Sequence, residues 1–201
     1  MMRIYRLILA TAGLMLALQA QAKVDIQHWQ TATGANVYFV ENHDLPIIDV
    51  STDFAAGSAR DPAPKSGLAA LTRHIMTLGA AGMTEEEISN KLADVGAILG
   101  GDFDADRAGF QLRTLSSERE REQALDVYIK IMHQPTFPAP ILEREKARVI
   151  AGLKDADTRP ETIASRAFMT ALYGSHPYAL RESGEPQTVP AIQRDDLQQF
   201  Y

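Results

Sequence analysis

Hydrophobic and polar positions alternate along the early part of this chain and recur at helical spacing through the rest. Residues 26–31 and 36–42 predict two strands joined by a turn at Thr33-Gly34-Ala35-Asn36, with Val37 and Phe39 on one side and Tyr38 and Val40 on the other. Asn42 to Pro46 reads as a turn, and Ile47 to Ala56 as a third strand rich in β-branched residues. Gly57 to Lys65, with its prolines and an Arg-Asp pair, predicts a loop. Ser66 is the expected N-cap of a helix carrying Leu68, Leu71, Ile75 and Leu78, closed by Gly79.

Thr84-Glu85-Glu86-Glu87 has the form of a capping box, with the helix after it running to about Val95 and ending at Gly96. Ala97 to Phe103 and Gly109 to Leu115 predict a strand pair around Asp104-Ala105-Asp106-Arg107. Helices follow from Ser116 or Ser117 to about His133, from Pro140 to about Asp157, and from Pro160 to Tyr173-Gly174. A turn-rich stretch over 175–191 leads to a last helix near Gln193 or Arg194. Strands first and helices afterwards, with one embedded strand pair, predict an α+β two-layer sandwich: a mostly antiparallel sheet with helices packed on one face.

The first 22 of the 201 residues depart from this pattern. Arg3 and Arg6 precede an apolar run from Leu7 to Leu18, and Ala20-Gln21-Ala22 offers small residues for cleavage, which is the form of a signal peptide. The run is shorter than the ~20 residues of a spanning helix, so the expectation is a signal over 1–22 and export to the periplasm or beyond, with no stable membrane insertion. Residues 23–201 suit one domain. The absence of cysteine excludes disulfides, thiol chemistry, cysteine zinc sites and a lipid-bearing cysteine. A formal charge of −6 gives nucleic acid no footing.

Candidate chemistry is sparse. The histidines are His28, His43, His74, His133 and His176, and no two lie three or four residues apart. A metal site would have to be assembled from distant segments, for example from His74 with His43 or His176 and an acidic residue. Asp102, Asp104 and Asp106 could form a hard-cation loop, but they lack the glycine and distal glutamate of a calcium loop, and a solvated hairpin turn is the better reading. Glu118-Arg119-Glu120-Arg121-Glu122 reads as a mixed-charge helix face. No nucleophile elbow, phosphate loop or dinucleotide fingerprint is present.

The segment Gly67-Leu68-Ala69-Ala70-Leu71-Thr72-Arg73-His74 is the most informative. Over residues 30–201 the chain resembles the N-terminal half-domain of the pitrilysin/insulinase family of zinc peptidases, the inverzincins. The resemblance rests on Val40-Glu41-Asn42 to Pro46, on Ala56-Gly57-Ser58-Ala59-Arg60-Asp61, and on Gly67-Leu68-Ala69. It also rests on Leu172-Tyr173-Gly174-Ser175-His176-Pro177-Tyr178 and on Ile192 to Tyr201. It implies an H-x-x-E-H helix at 70–74. Here the first ligand position is Ala70, the general-base position is Arg73, and only the second histidine, His74, is kept. A third ligand, a glutamate some seventy-odd residues on, is expected on the helix from Glu143 to Asp157, where its place falls within Ala151-Gly152-Leu153, none of which is a carboxylate.

The resemblance therefore implies a non-catalytic member, with no catalytic or metal-binding residue and no cofactor of its own. Zinc is expected in a homologous catalytic peptidase subunit that pairs with it around a peptide substrate. The chain would be the first of two similar halves. Two alternatives stand beside this: a working metallopeptidase with an unconventional site, and a peptide-holding scaffold without a peptidase partner.

Overall fold

The computed structural model of the protein describes residues 25–201, so the signal expected over 1–22 lies outside the described residues. The described chain falls into two units that divide after Leu45.

The first unit is a hairpin. Strand β1 (Ile26–Gln30) pairs antiparallel with β2 (Asn36–Val40), with Ile26 opposite Val40 and Gln30 opposite Asn36. Its turn is closed by the Thr31 hydroxyl, which accepts the Ala35 N–H at 3.0 Å, and by Gly34 at a positive φ. In the following segment Asn42 accepts the Asp44 N–H at 2.7 Å through its side chain, as expected of an Asx turn.

The second unit, from Pro46 onward, holds the core. Strand β3 (Ile47–Phe54) pairs antiparallel with β7 (Ala108–Leu115), which pairs antiparallel with β6 (Ile98–Gly100). Along β7, Phe110, Leu112 and Thr114 are buried while Gln111, Arg113 and Leu115 are exposed. This is the alternation of a sheet covered on one face. Helices supply the cover: α1 (Leu68–Met76), α2 (Glu85–Ala93), α3 (Glu118–His133) and α4 (Ala139–Ala156). Leu68, Leu71 and Ile75 from α1, Ile88 and Leu92 from α2, and Val127, Tyr128 and Ile131 from α3 meet Phe110 and Leu112 in one core. The buried Tyr128 hydroxyl bonds the Thr52 hydroxyl and donates to the Phe110 carbonyl, both at 2.9 Å, so its polar end is satisfied inside the apolar layer. Helices α5 (Pro160–Tyr173) and α6 (Arg194–Phe200) complete the chain. The fold is the α+β arrangement with antiparallel pairing that the sequence predicts.

The capping box at Thr84 is present in both directions. Between α1 and α2 a small antiparallel hairpin, β4 (Gly79–Ala80) and β5 (Met83–Thr84), turns through Ala81 and Gly82, both at positive φ. Two positive φ values in a two-residue turn match the twist of the flanking strands, and the sequence reading missed this hairpin. The strand predicted over 97–103 stops at Gly100, because Gly101 takes φ +140 and leaves the ladder.

Candidate functional site

Helix α1 places the three motif positions on a single stripe. Ala70, Arg73 and His74 are half-buried, while Leu68, Ala69, Leu71, Thr72, Ile75 and Met76 are buried. Spacings of three and four residues put side chains on the same helix face.

The expected cap of α1 was Ser66, and the structure corrects it. Gly67 occupies the N-cap at φ +98, and the Ser66 hydroxyl instead donates to the Arg181 carbonyl at 3.0 Å. The helix start is held by Asp61, whose buried carboxylate accepts the Gly67 N–H at 2.7 Å and the Ala69 N–H at 2.8 Å. Burial pushes the Asp61 pKa up to about 6, against the downward pull of the N–H groups of Ala69, Gly67 and Leu68. A carboxylate six residues upstream thus does the work expected of a neighbouring hydroxyl.

Arg73 reaches from α1 to the end of the sheet. Its Nε donates to the Gly109 carbonyl at 2.9 Å and its Nη2 to the Gly101 carbonyl at 2.6 Å, with the guanidinium 5.5 Å from the centre of the Phe110 ring. Gly101 is required there: a Cβ would stand 2.1 Å from the Gly109 oxygen and 2.7 Å from Arg73 Nη2. Burial lowers the Arg73 pKa, yet a guanidinium remains charged at any physiological pH. The residue therefore ties helix to sheet, and it holds a cation where the family resemblance leads one to expect a general base.

His74 meets a carboxylate that sequence reasoning missed. Its Nε2 lies 3.1 Å from Oε2 of Glu145, on α4. The resemblance pointed to 151–153 on the same helix; Gly152 is two turns, about 10 Å, farther along the axis and carries no side chain. Glu145 is 1% exposed. Its Oε1 accepts from Arg144 Nε at 2.8 Å, and Arg148 Nη1 stands 3.4 Å from Oε2. Burial pushes the Glu145 pKa up, but the bonds from Arg144 and His74 outweigh it and hold the group below the usual carboxylate range.

This donor set does not fit zinc. Catalytic zinc takes three protein ligands and leaves a fourth position for water. Ala70 offers a methyl group, Arg73 a positive charge, and Glu145 has both oxygens engaged by cations and by His74. Among the described residues no group of three or more His, Asp or Glu is placed to hold a metal ion. Within the second unit, His176 accepts the Tyr178 N–H at 3.2 Å and is not brought to His74; His43 belongs to the hairpin unit, where it pairs with Glu41 at 2.8 Å. The three aspartates also part company. Asp102 accepts from Gln111, Asp106 from the Tyr178 hydroxyl, and Asp104 from the backbone N–H groups of Asp106 and Arg107. The N–H of Asp106 above all holds the Asp104 carboxyl below its ordinary range. The segment is a hairpin turn docked on 57–59, where a Cβ at Gly57 would sit 2.4 Å from Ala105.

The sequence pattern that defines the insulinase family (Peptidase family M16) matches residues 37–183, and the chain belongs to that family. It is 23% identical over 195 residues to the "Non-peptidase homolog YmxG" of Helicobacter pylori (strain ATCC 700392 / 26695), covering 97% of this chain and 44% of that protein. It is also similar to the crystal structure described as a peptidase M16 inactive domain from Pseudomonas fluorescens. That match has 37% identity and a TM-score of 0.85, and covers 88% of this chain and 43% of the other. The periplasmic protease PqqL of Escherichia coli shares the fold, with a TM-score of 0.76 at 18% identity over 90% of this chain and 21% of PqqL. The chain thus spans less than half the length of these relatives.

Proposed function

We propose that this chain is a non-catalytic member of the insulinase family: an exported half-domain that pairs with a zinc-bearing homologue and forms part of the wall of a peptide-degrading chamber. The observation that carries the reading is Arg73. A guanidinium fixed by two carbonyls stands at the general-base position, where it can neither take a proton from water nor tolerate a divalent cation close by. Two relatives described as non-peptidase and inactive support it. Export is supported by the leader-like residues 1–22 and by a structural relative described as periplasmic. The folding features of α1 are kept while its chemistry is gone, which is the pattern of a helix retained for packing.

The test is metal analysis and oligopeptide cleavage by the chain alone, by a homologue carrying H-x-x-E-H, and by the two co-expressed. The expected result is only traces of zinc and no cleavage for the chain alone, co-purification with the homologue, and more cleavage by the pair than by the homologue alone. A full equivalent of tightly held zinc, together with cleavage by the chain alone that His74→Ala abolishes, would falsify the proposal.

A further inference from the structure

Helix α5 is held to its domain by charge and not by a core. Among the described residues α1 buries six of its 9 residues, whereas α5 buries none of its 14. Phe168 is 62% exposed, Leu172 57% and Ile163 52%, so the large apolar side chains add little to docking. The inward side does not close on the domain either. Thr162, Ser165 and Met169 line one wall of a cleft of about 500 Å³, and Leu180 and Glu182 line the other. Few ties cross it. Tyr173 meets the Tyr178 ring edge-on, 5.6 Å between centres. Arg166 donates to Asp157, at the end of α4, at 3.0 Å and to Glu185 at 2.7 Å. Those two carboxylates have a second cation: Arg181 donates to the same Asp157 oxygen at 3.0 Å and stands 4.0 Å from Glu185. The four residues form a closed ring of alternating charge.

We propose that α5 is a hinged strap, latched shut by Arg166, that lifts from the domain and melts while the core stays folded. The ring is built for release. The Arg181 side chain is 16% exposed and stays with the body, whereas that of Arg166 is 41% exposed and rides on the helix. When Arg166 leaves, Asp157 and Glu185 keep Arg181, so no buried charge is stranded without a partner. The chain can bend at both ends of the helix. Pro160 opens it, and Gly174 closes it at φ +57 and ψ −115, a conformation that favours glycine, with no atom within 4 Å to crowd a Cβ. A helix of 14 residues is marginal in water once it loses its docking, so lifting exposes its amides to solvent. Ion pairs with this much exposure weaken as salt rises, whereas apolar burial does not. Ionic strength therefore works the latch, and release opens the cleft wall at 180–182.

Hydrogen exchange followed by mass spectrometry on the chain alone tests this, independently of any zinc-bearing homologue. In dilute buffer the amides of α5 should exchange about a hundredfold or more faster than those of α3, whose Val127, Tyr128 and Ile131 are core residues. Raising NaCl from about 0.02 M to about 0.5 M should speed α5 by about three- to twentyfold, the range that two partly exposed ion pairs give, and leave α3 unchanged. Arg166→Gln in dilute buffer should exchange α5 as fast as the parent does in salt, and added salt should then change nothing. Protection of α5 equal to that of α3 overturns the proposal. So does an α5 rate that salt or Arg166→Gln fails to move, because the latch is then not this ring. Acceleration of α3 together with α5 also overturns it, because the opening is then that of the whole domain.

Discussion

Helices α1 and α5 both carry apolar residues at helical spacing, sharply sorted to one face in α1 and loosely in α5, and use them in opposite senses. In α1 the apolar residues Leu68, Leu71 and Ile75 point into the core, and the half-exposed stripe holds Ala70, Arg73 and His74. In α5 the apolar residues point out, and the inward side is anchored by the ion pairs of Arg166. The difference teaches that periodicity fixes which residues of a helix lie together, whereas tertiary partners decide which side faces the domain. In α1 the hydrophobic stripe decides. In α5 two carboxylates, 9 residues before Arg166 and 19 after it, decide instead.

The contrast is sharpest in matched truncations. Ile75→Ala, at a site with no exposed surface, should cost about 2–5 kcal/mol, because the cavity it leaves is walled by α1 and its packed neighbours. Phe168→Ala should stay within about 0.5 kcal/mol of the parent. Denaturant midpoints at constant m-value give both numbers. Similar losses for the two would mean that α5 has a buried side after all and would erase the comparison.

The next effect concerns the outer stripe of α1. Arg73→Ala removes two charge-assisted hydrogen bonds and a cation–aromatic contact, and leaves the Gly101 and Gly109 carbonyls without their donor. A loss of about 1.5–3 kcal/mol is expected. Arg73→Glu, which restores the residue type of a working site, should be worse than alanine, because its carboxylate would face those two carbonyls. Melting curves of the two variants rank them. If Arg73→Glu equals or exceeds the parent in stability, the guanidinium is not a tie between helix and sheet.

Much of the fold was legible in the chain and less of the site. The Leu68-Leu71-Ile75 stripe, the Thr84 capping box and the start of α5 at Pro160 are local signals, set within a few residues, and each stands where the pattern put it. The partners that define the site are not local. His74 and Glu145 are 71 residues apart, and only the packing of α1 on α4 brings them together. Family spacing led to 151–153, because a residue count along the chain does not fix which turn of α4 faces His74; the packing brings up Glu145, two turns earlier. Asp61 escaped for a related reason. An N-cap search looks at the residue beside the first turn, and here the carboxylate folds back over a six-residue loop.

Asp61 also supplies the smallest and most discriminating test. Its carboxyl pKa is raised from 3.8 to about 6, chiefly by burial, so the folded chain holds this proton more tightly than the unfolded chain does. The contribution of the group is therefore most favourable below pH 4 and is lost as the pH rises through about 6. Carboxyls with lowered pKa, such as Asp196 beside Lys65, run the other way, so the net curve of the parent is a poor probe. The comparison with Asp61→Asn isolates the group, since asparagine stays neutral throughout. Whatever the mean offset between the two proteins, the balance should move toward the asparagine variant as the pH rises from about 4 to about 7. The expected size is on the order of 1–2 kcal/mol, discounted because the N–H donors of the helix start favour the ionised form. A drift toward the parent over the same interval would show that those donors prevail over burial, and that α1 is anchored by a carboxylate at ease in its charged state.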